Sequence, residues 1–284
     1  MAEVIIPTRG TDRLRAHRWA MDLGYPVHFV CDDERQRGRV MRKTGCQRNR
    51  CHVAQTPDGL GQSGIAYVRD WVCQQLVPVG DWIIWIDDNV KRLTSLPHPF
   101  CNTDRIDFDF DDEPDIGWRD AFEQTAENPR YVLDQLIEKC IDNGTIFGGF
   151  AIETNFFFRR LRYQWWGYAR TQCAVYRNDG RSWLAWDGMM LEDFVKSVDV
   201  VCRYGKVVID RFSKPDKPAF EEGGIGSFED RLPNLRHDCK MLMERYPGLL
   251  KPVKPDVDYQ LTFAKRSQRT IDAWRRDHGF KACL

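Results

Sequence analysis

Five consecutive bulky apolar residues, Trp82, Ile83, Ile84, Trp85 and Ile86, end abruptly on Asp87, Asp88 and Asn89. A run so rich in β-branched and aromatic side chains predicts a buried strand. It would deliver its acids to the carboxyl edge of a sheet, which is where open α/β sheets bind ligands. Two carboxylates and a carboxamide side by side suit a hard divalent cation. They also suit a plain polar turn after a core strand, since Asp and Asn favour turn geometry.

The chain before this run predicts a parallel unit. Residues 3–6 and 26–31 are short apolar strands, with a helix over 14–23 between them that Thr11 and Asp12 cap and Gly24 ends. Pro7 to Gly10 is taken as the turn that closes the first strand, and the second stops on Asp32 and Asp33. A basic surface helix and loop over 34–50 lead to a short strand at 51–55. Gly59-Leu60-Gly61-Gln62-Ser63-Gly64 then matches the G-x-G-x-x-G of dinucleotide sites. The strand before it is short and polar, and the Asp87 cluster holds more acid than a ribose contact needs, so a ligand-facing loop that opens a helix over 65–77 fits as well. Arg69 lies near the middle of that helix, where it reaches phosphate or solvent.

Residues 98–129 form an acidic insertion around the run DRIDFDFDDEPD. A helix over 131–141 ends at Asn143-Gly144, and a strand runs from Gly148-Gly149 into 151–160. Between 159 and 170, arginines 159, 160, 162 and 170 interleave with Tyr163, Trp165, Trp166 and Tyr168. Cation and ring together make a platform for phosphates and bases, or a hairpin whose rings pack inward. A strand at 173–176 and a turn at 178–180 precede a helix over 189–200. Glu192 and Asp193 occupy its first turn, where the helix dipole favours acids. A strand at 206–210 closes the sheet, a mobile loop covers 212–227, a helix covers 235–246, and the region from Thr262 is basic and amphipathic.

Lys plus Arg and Asp plus Glu both number 42, so no global charge draws the chain to nucleic acid, which would have to meet a local patch. The 10 cysteines lack a repeated C-x-x-C pair, which predicts reduced thiols in a cytoplasmic protein. Cys46, Cys51 and His52 do not make a familiar zinc pattern. No apolar run is long enough for a membrane span, and no signal peptide precedes the first strand, so no membrane partner is expected.

Taken in order, the strand ending Val4-Ile5-Ile6-Pro7-Thr8-Arg9, the strand ending at Asp32, the helix from Gly64 to Arg69, the Asp87-Asp88-Asn89 strand end and the Glu192-Asp193 pair resemble glycosyltransferases of the GT-A fold. The resemblance spans residues 3–211. More narrowly, Gly148-Gly149-Phe150, Leu191-Glu192-Asp193-Phe194 and Gly223-Gly224 are similar to the phage enzymes called TET/JBP-associated glycosyltransferases, which attach sugars to hydroxymethylated pyrimidines in DNA.

The resemblance implies a GT-A-like catalytic domain over 1–211, with a central, mostly parallel sheet flanked by helices. A loop and helical extension over 212–284 would pack on it. It implies an inverting, metal-dependent transfer of a hexose or pentose from a UDP-sugar to 5-hydroxymethylcytosine, or a related base, in phage DNA. Thr8, Arg9 and Asp32 would hold the uridine, and Arg69 the ribose or a phosphate. Asp87, Asp88 and Asn89 stand where the family has D-x-D and would bind Mn²⁺ or Mg²⁺ against the diphosphate, with Asn89 replacing the last Asp. His237 would be a late metal ligand. Asp193 matches the family's base, with Glu192 beside it, and Arg160, Arg162, Trp165 and Trp166 would meet the DNA. The chain would act as a monomer or weak dimer. A protein or small-molecule acceptor and a nucleotidyltransferase are the alternative readings. A pure binding module has no need of two acidic centres.

Overall fold

The computed structural model describes residues 1–8, 10–54, 64–96, 128–151, 161–184, 190–217, 228–265 and 267–280. Its first half alternates strand and helix: β1 (Ala2–Thr8), α1 (His17–Met21), β2 (Val27–Cys31), α2 (Glu34–Thr44), β3 (Cys51–Val53), α3 (Gly64–Trp71) and β4 (Trp82–Ile86). Then come β5 (Arg92–Ser95), α4 (Pro129–Asp142), β6 (Phe147–Phe150), β7 (Tyr163–Gln164) and β8 (Arg170–Arg177). The chain continues through α5 (Glu192–Tyr204), β9 (Val208–Asp210), β10 (Ser213–Asp216), α6 (Phe228–Arg245), β11 (Leu250–Pro252), β12 (Leu261–Phe263) and α7 (Gln268–Asp277).

Eight strands join in the order β3-β2-β1-β4-β8-β6-β9-β7. Strands β1, β2, β3, β4, β6 and β9 share one direction, while β8 and β7 oppose it. The expected α/β architecture, a mostly parallel central sheet flanked by helices, is the one observed. Strand β4 is buried throughout. Ile83 and Trp85 enter the core on one face, and Trp82, Ile84 and Ile86 enter the core on the other. Both faces are covered, which is why the sequence reads as an unbroken apolar run without alternation.

From β1 the chain builds outward through β2 and β3, then returns to lay β4 on the other side of β1. The strand order reverses there. Such a reversal opens a crevice at the carboxyl ends of the two strands.

Several local expectations are corrected. Strand β1 does not stop at Ile6 but runs through Pro7 and Thr8, which pair with Val30 and Cys31 of β2. Val4 N–H points to the β2 side, so by alternation the missing N–H of Pro7 faces the β4 side, where pairing has already ended at Ile5. Helix α1 starts at His17 without a side-chain cap. It starts late because the Arg15 and Ala16 amides donate instead to the Asp88 carbonyl, at 2.6 and 3.0 Å. Residues 213–216 are not loop: as β10 they pair antiparallel with β5. Strand β7, not β9, ends the sheet on that side. The acidic residues 98–127, the glycines at 59, 61, 223 and 224, and residues 152–160 lie outside the described residues.

Gly148 of β6 is placed by packing. A Cβ there would meet Cys140 Sγ at 2.8 Å and Leu136 Cγ at 3.0 Å, both on α4, so only glycine lets that helix lie so close to the sheet. Among the described residues, no helix is long and apolar enough to cross a membrane.

Candidate active site

The crevice between β1 and β4 is lined at its base by Thr8 and Asp88. Thr8 Oγ1 donates to Asp88 Oδ2 at 3.0 Å, while the Asp88 carbonyl holds residues 15 and 16. Asp88 thus ties the end of β4 to two other segments of chain. Asn89 is buried, and Asp87 is the more open of the two acids, its side chain 23 % exposed. Asp32 stands just past the end of β2, half-buried at the same edge. Arg9 lies outside the described residues.

Arg69 is not the solvated residue that was one of its two expected fates. Its side chain is 2 % exposed, so it is neither solvated nor free. Nη1 donates to Glu192 Oε1 at 2.5 Å, and Nη2 faces Asp87 Oδ1 at 3.5 Å and the Thr171 carbonyl at 3.4 Å. The guanidinium also lies 5.7 Å from the ring centroids of both Trp85 and Trp183. A buried cation needs such partners, because desolvation without them costs several kcal/mol. Lys217, just past β10, approaches the other face of Asp87, with Nζ 3.6 Å from Oδ2. The two acidic centres read from the sequence are therefore one site, joined by Arg69.

Glu192 and Asp193 open α5. The amides just before them, of Met190 and Leu191, donate to Asp238 Oδ2 at 2.6 and 3.0 Å. Asp238 is fully buried on α6, and it anchors the start of α5. Asp193 has both oxygens engaged: Oδ2 accepts from the Tyr168 hydroxyl, and Oδ1 accepts from the Phe194 amide at 2.8 Å. Burial and the Asp193 charge hold the Tyr168 phenol protonated, so it donates. Burial raises the Asp193 carboxyl, and the Tyr168 bond, Arg69 and the Phe194 amide oppose the rise. Glu192 has fewer donors, and burial, then the Asp193 charge, push it up to about 7 against the pull of Arg69. A carboxyl in that range is matched to proton transfer at neutral pH.

Other predicted site residues lie elsewhere. Arg162 is buried and pairs with the buried Asp210, Nη2 to Oδ2 at 3.6 Å, so it is not a surface contact for phosphate. Trp165 and Trp166 lie in the bend just after β7, half-buried, and pack against the cores on opposite faces of the sheet. They do not form a shared platform. Arg160 lies outside the described residues. His237 is on the exposed side of α6, one position from Asp238 and so about 100° around the helix from the side chain that reaches α5. Cys51 and His52 point to opposite faces of β3: Cys51 meets Cys31, whereas His52 meets His28. They cannot share a zinc ion.

Among the described residues no three of His, Cys, Asp or Glu converge as an all-protein metal cage would require. Mg²⁺ asks for less, since it commonly takes one or two carboxylates and fills its shell with water and substrate phosphate. Asp87 and Asp88, adjacent at the crevice, are a donor set of that size. Nothing in the sequence marks Lys217 or Asp238, and Tyr168 stands out only as one of the rings interleaved with arginines, because each reaches the site only through tertiary packing. No protein-family model matches the chain, and no curated protein matches it.

Proposed function

We propose that this chain is a metal-dependent glycosyltransferase that moves a sugar from a UDP-sugar to a hydroxyl acceptor. One observation carries the reading: Arg69 links Asp87, at the carboxyl edge of β4, to Glu192, in the first turn of α5. Acids suited to a metal diphosphate and acids suited to taking a proton thus share one crevice at the reversal of strand order.

Breaking a sugar–phosphate bond leaves negative charge on the diphosphate, and Mn²⁺ or Mg²⁺ held by Asp87 and Asp88 supplies the countercharge when bound. Lys217 stands beside the same carboxylate and adds a second positive group at that end of the crevice. Thr8 orients Asp88 through its hydroxyl. At the other end the acceptor hydroxyl loses its proton as it attacks. We assign that proton to Glu192, whose carboxyl sits near 7, and give Asp193 the task of holding it there by its charge. With no protein nucleophile in the step, the displacement is single and inverts the anomeric carbon.

The acceptor assignment, hydroxymethylated pyrimidine in phage DNA within a host cytoplasm, rests on the similarity of Gly148-Gly149-Phe150 and Leu191-Glu192-Asp193-Phe194 to the phage enzymes. UDP release from a panel of UDP-sugars, with Mn²⁺ or Mg²⁺ and with or without DNA containing hydroxymethylcytosine, tests both levels. Metal-dependent release stimulated by the modified DNA supports both. Release indifferent to DNA keeps the transferase and moves the acceptor to a protein or small molecule. Pyrophosphate release from a nucleoside triphosphate in place of UDP release would make it a nucleotidyltransferase.

A further inference from the structure

At the β3 edge of the sheet, strand β3 and its flanking helices line a cavity of about 600 Å³ that is wide open to solvent. Its lining includes Glu34 and Arg37 of α2, Arg48 and Asn49 before β3, His52 of β3 and Trp71 at the end of α3. That volume lies within the range that holds small organic ligands. Trp71 stands two residues beyond Arg69, about 200° further around α3, so the helix turns one side chain to the acidic crevice and the other to this cavity.

The hydrogen bonds behind the cavity fix what it presents. Arg50 Nη1 lies 2.5 Å from His28 Nε2, and a guanidinium can only donate, so that nitrogen accepts and the His28 proton is on Nδ1. Glu3 Oε2 lies 3.3 Å from the same nitrogen, but His28 stays neutral, held down to about 4 by burial and Arg50. Nδ1 of His28 then donates to His52 Nε2 at 2.9 Å. His52, also kept neutral by burial and Arg50, must carry its own proton on Nδ1, the nitrogen that His28 does not occupy. The lining therefore brings together a neutral His52 ring with its proton on Nδ1, two guanidinium groups and an indole ring. The one carboxylate in its lining, Glu34, pairs with Arg37 along one turn of α2.

We propose that this cavity is a nucleotide site, with the phosphate against Arg37, Arg48 and the His52 N–H and the base against Trp71. It shares no residue with the acidic crevice and does not depend on the transferase reading. Isothermal titration of the intact chain with dAMP and with a five-nucleotide single strand of dA tests it. Arg48 is exposed, so Arg48→Ala removes a cation without disturbing packing. Arg48→Ala and Trp71→Leu should each weaken binding by about tenfold, while Asp88→Asn, in the other crevice, should leave it unchanged. Equal affinity for dAMP and the strand identifies a free nucleotide as the ligand, and much tighter binding of the strand identifies single-stranded nucleic acid. Binding of neither, or binding that survives both Arg48→Ala and Trp71→Leu, would overturn the proposal.

Discussion

Arg69 and Glu192 are 123 positions apart in the chain and 2.5 Å apart in the fold, Nη1 to Oε1. Arg69→Ala would leave both Glu192 and Asp87 without their shared cation. Removing one partner of a buried pair costs about 3–5 kcal/mol, so urea unfolding should show a loss of that order. A loss under about 1 kcal/mol would mean that the pair is not part of the stable fold.

Glu192 holds its proton in acid and releases it as the pH rises through about 7. Turnover of UDP-sugar should therefore climb with pH and level off above that value. Asp193→Asn removes the charge that helps raise Glu192 and should move the climb to lower pH. Glu192→Gln should abolish the climb and lower kcat by about 10²–10⁴. An unshifted profile in Asp193→Asn would break the assignment of roles. For stability the sign is opposite: the folded state holds this proton more tightly, so its contribution is lost as pH rises from 4.5, the ordinary carboxyl value, to about 7.

Asp238 and His237 are neighbours with different expected fates. Asp238→Ala strips the acceptor from two amides at the start of α5, at a cost of about 1–3 kcal/mol, and it should lower turnover by loosening Glu192. His237→Ala should change melting temperature and metal dependence little. Loss of metal dependence in His237→Ala would return that residue to the ligand set.

Gly148→Ala should overpack the interface of β6 with α4 and cost about 1–3 kcal/mol. Cys140 and Leu136, the residues its Cβ would meet, are fully buried and have no room to retreat. Adding Cys140→Ala should recover part of the loss in thermal unfolding. Two substitutions whose costs simply add would mean the contact is not the cause.

His28 is 6 % exposed, and its value near 4 is below the 6.5 it has when unfolded. Between those values the unfolded chain binds more protons, so stability falls as pH drops from 6.5 toward 4. The contribution lost between pH 7 and 5 is about 2 kcal/mol. His28→Gln should be less sensitive over that interval. Parallel pH profiles for both proteins would show that His28 titrates normally.

The parts of this fold legible in sequence are those decided locally. The apolar run 82–86 announced β4, and its polar stop announced the carboxyl edge, because burial on both faces leaves an unmistakable composition. The helix over 129–142 was legible through its spacing and the Asn143-Gly144 stop. Partners were not legible. Arg69 reads the same whether it meets solvent or Glu192, and only the distance between α3 and α5 decides. Strand β10 was hidden by its one proline, Pro215, which a two-stranded ribbon tolerates at its edge. Trp165 and Trp166 are adjacent in sequence, but the bend after β7 sends them to different cores, and nothing local in the sequence marks that divergence.

The span between Arg69 and Glu192 also bears on how the protein is made. As the chain leaves the ribosome, Arg69 and Asp87 emerge early, but strand β8, which covers the open side of β4, and then Glu192 emerge only after residue 170. A nascent chain shorter than that carries a guanidinium destined for the interior with its nearest partner not yet made, beside a strand with one exposed edge. Sheet completion and charge neutralisation then arrive together, within the stretch from β8 to α5. A chain arrested before α5 would accordingly be a client for chaperones and proteases and not a stable partial fold.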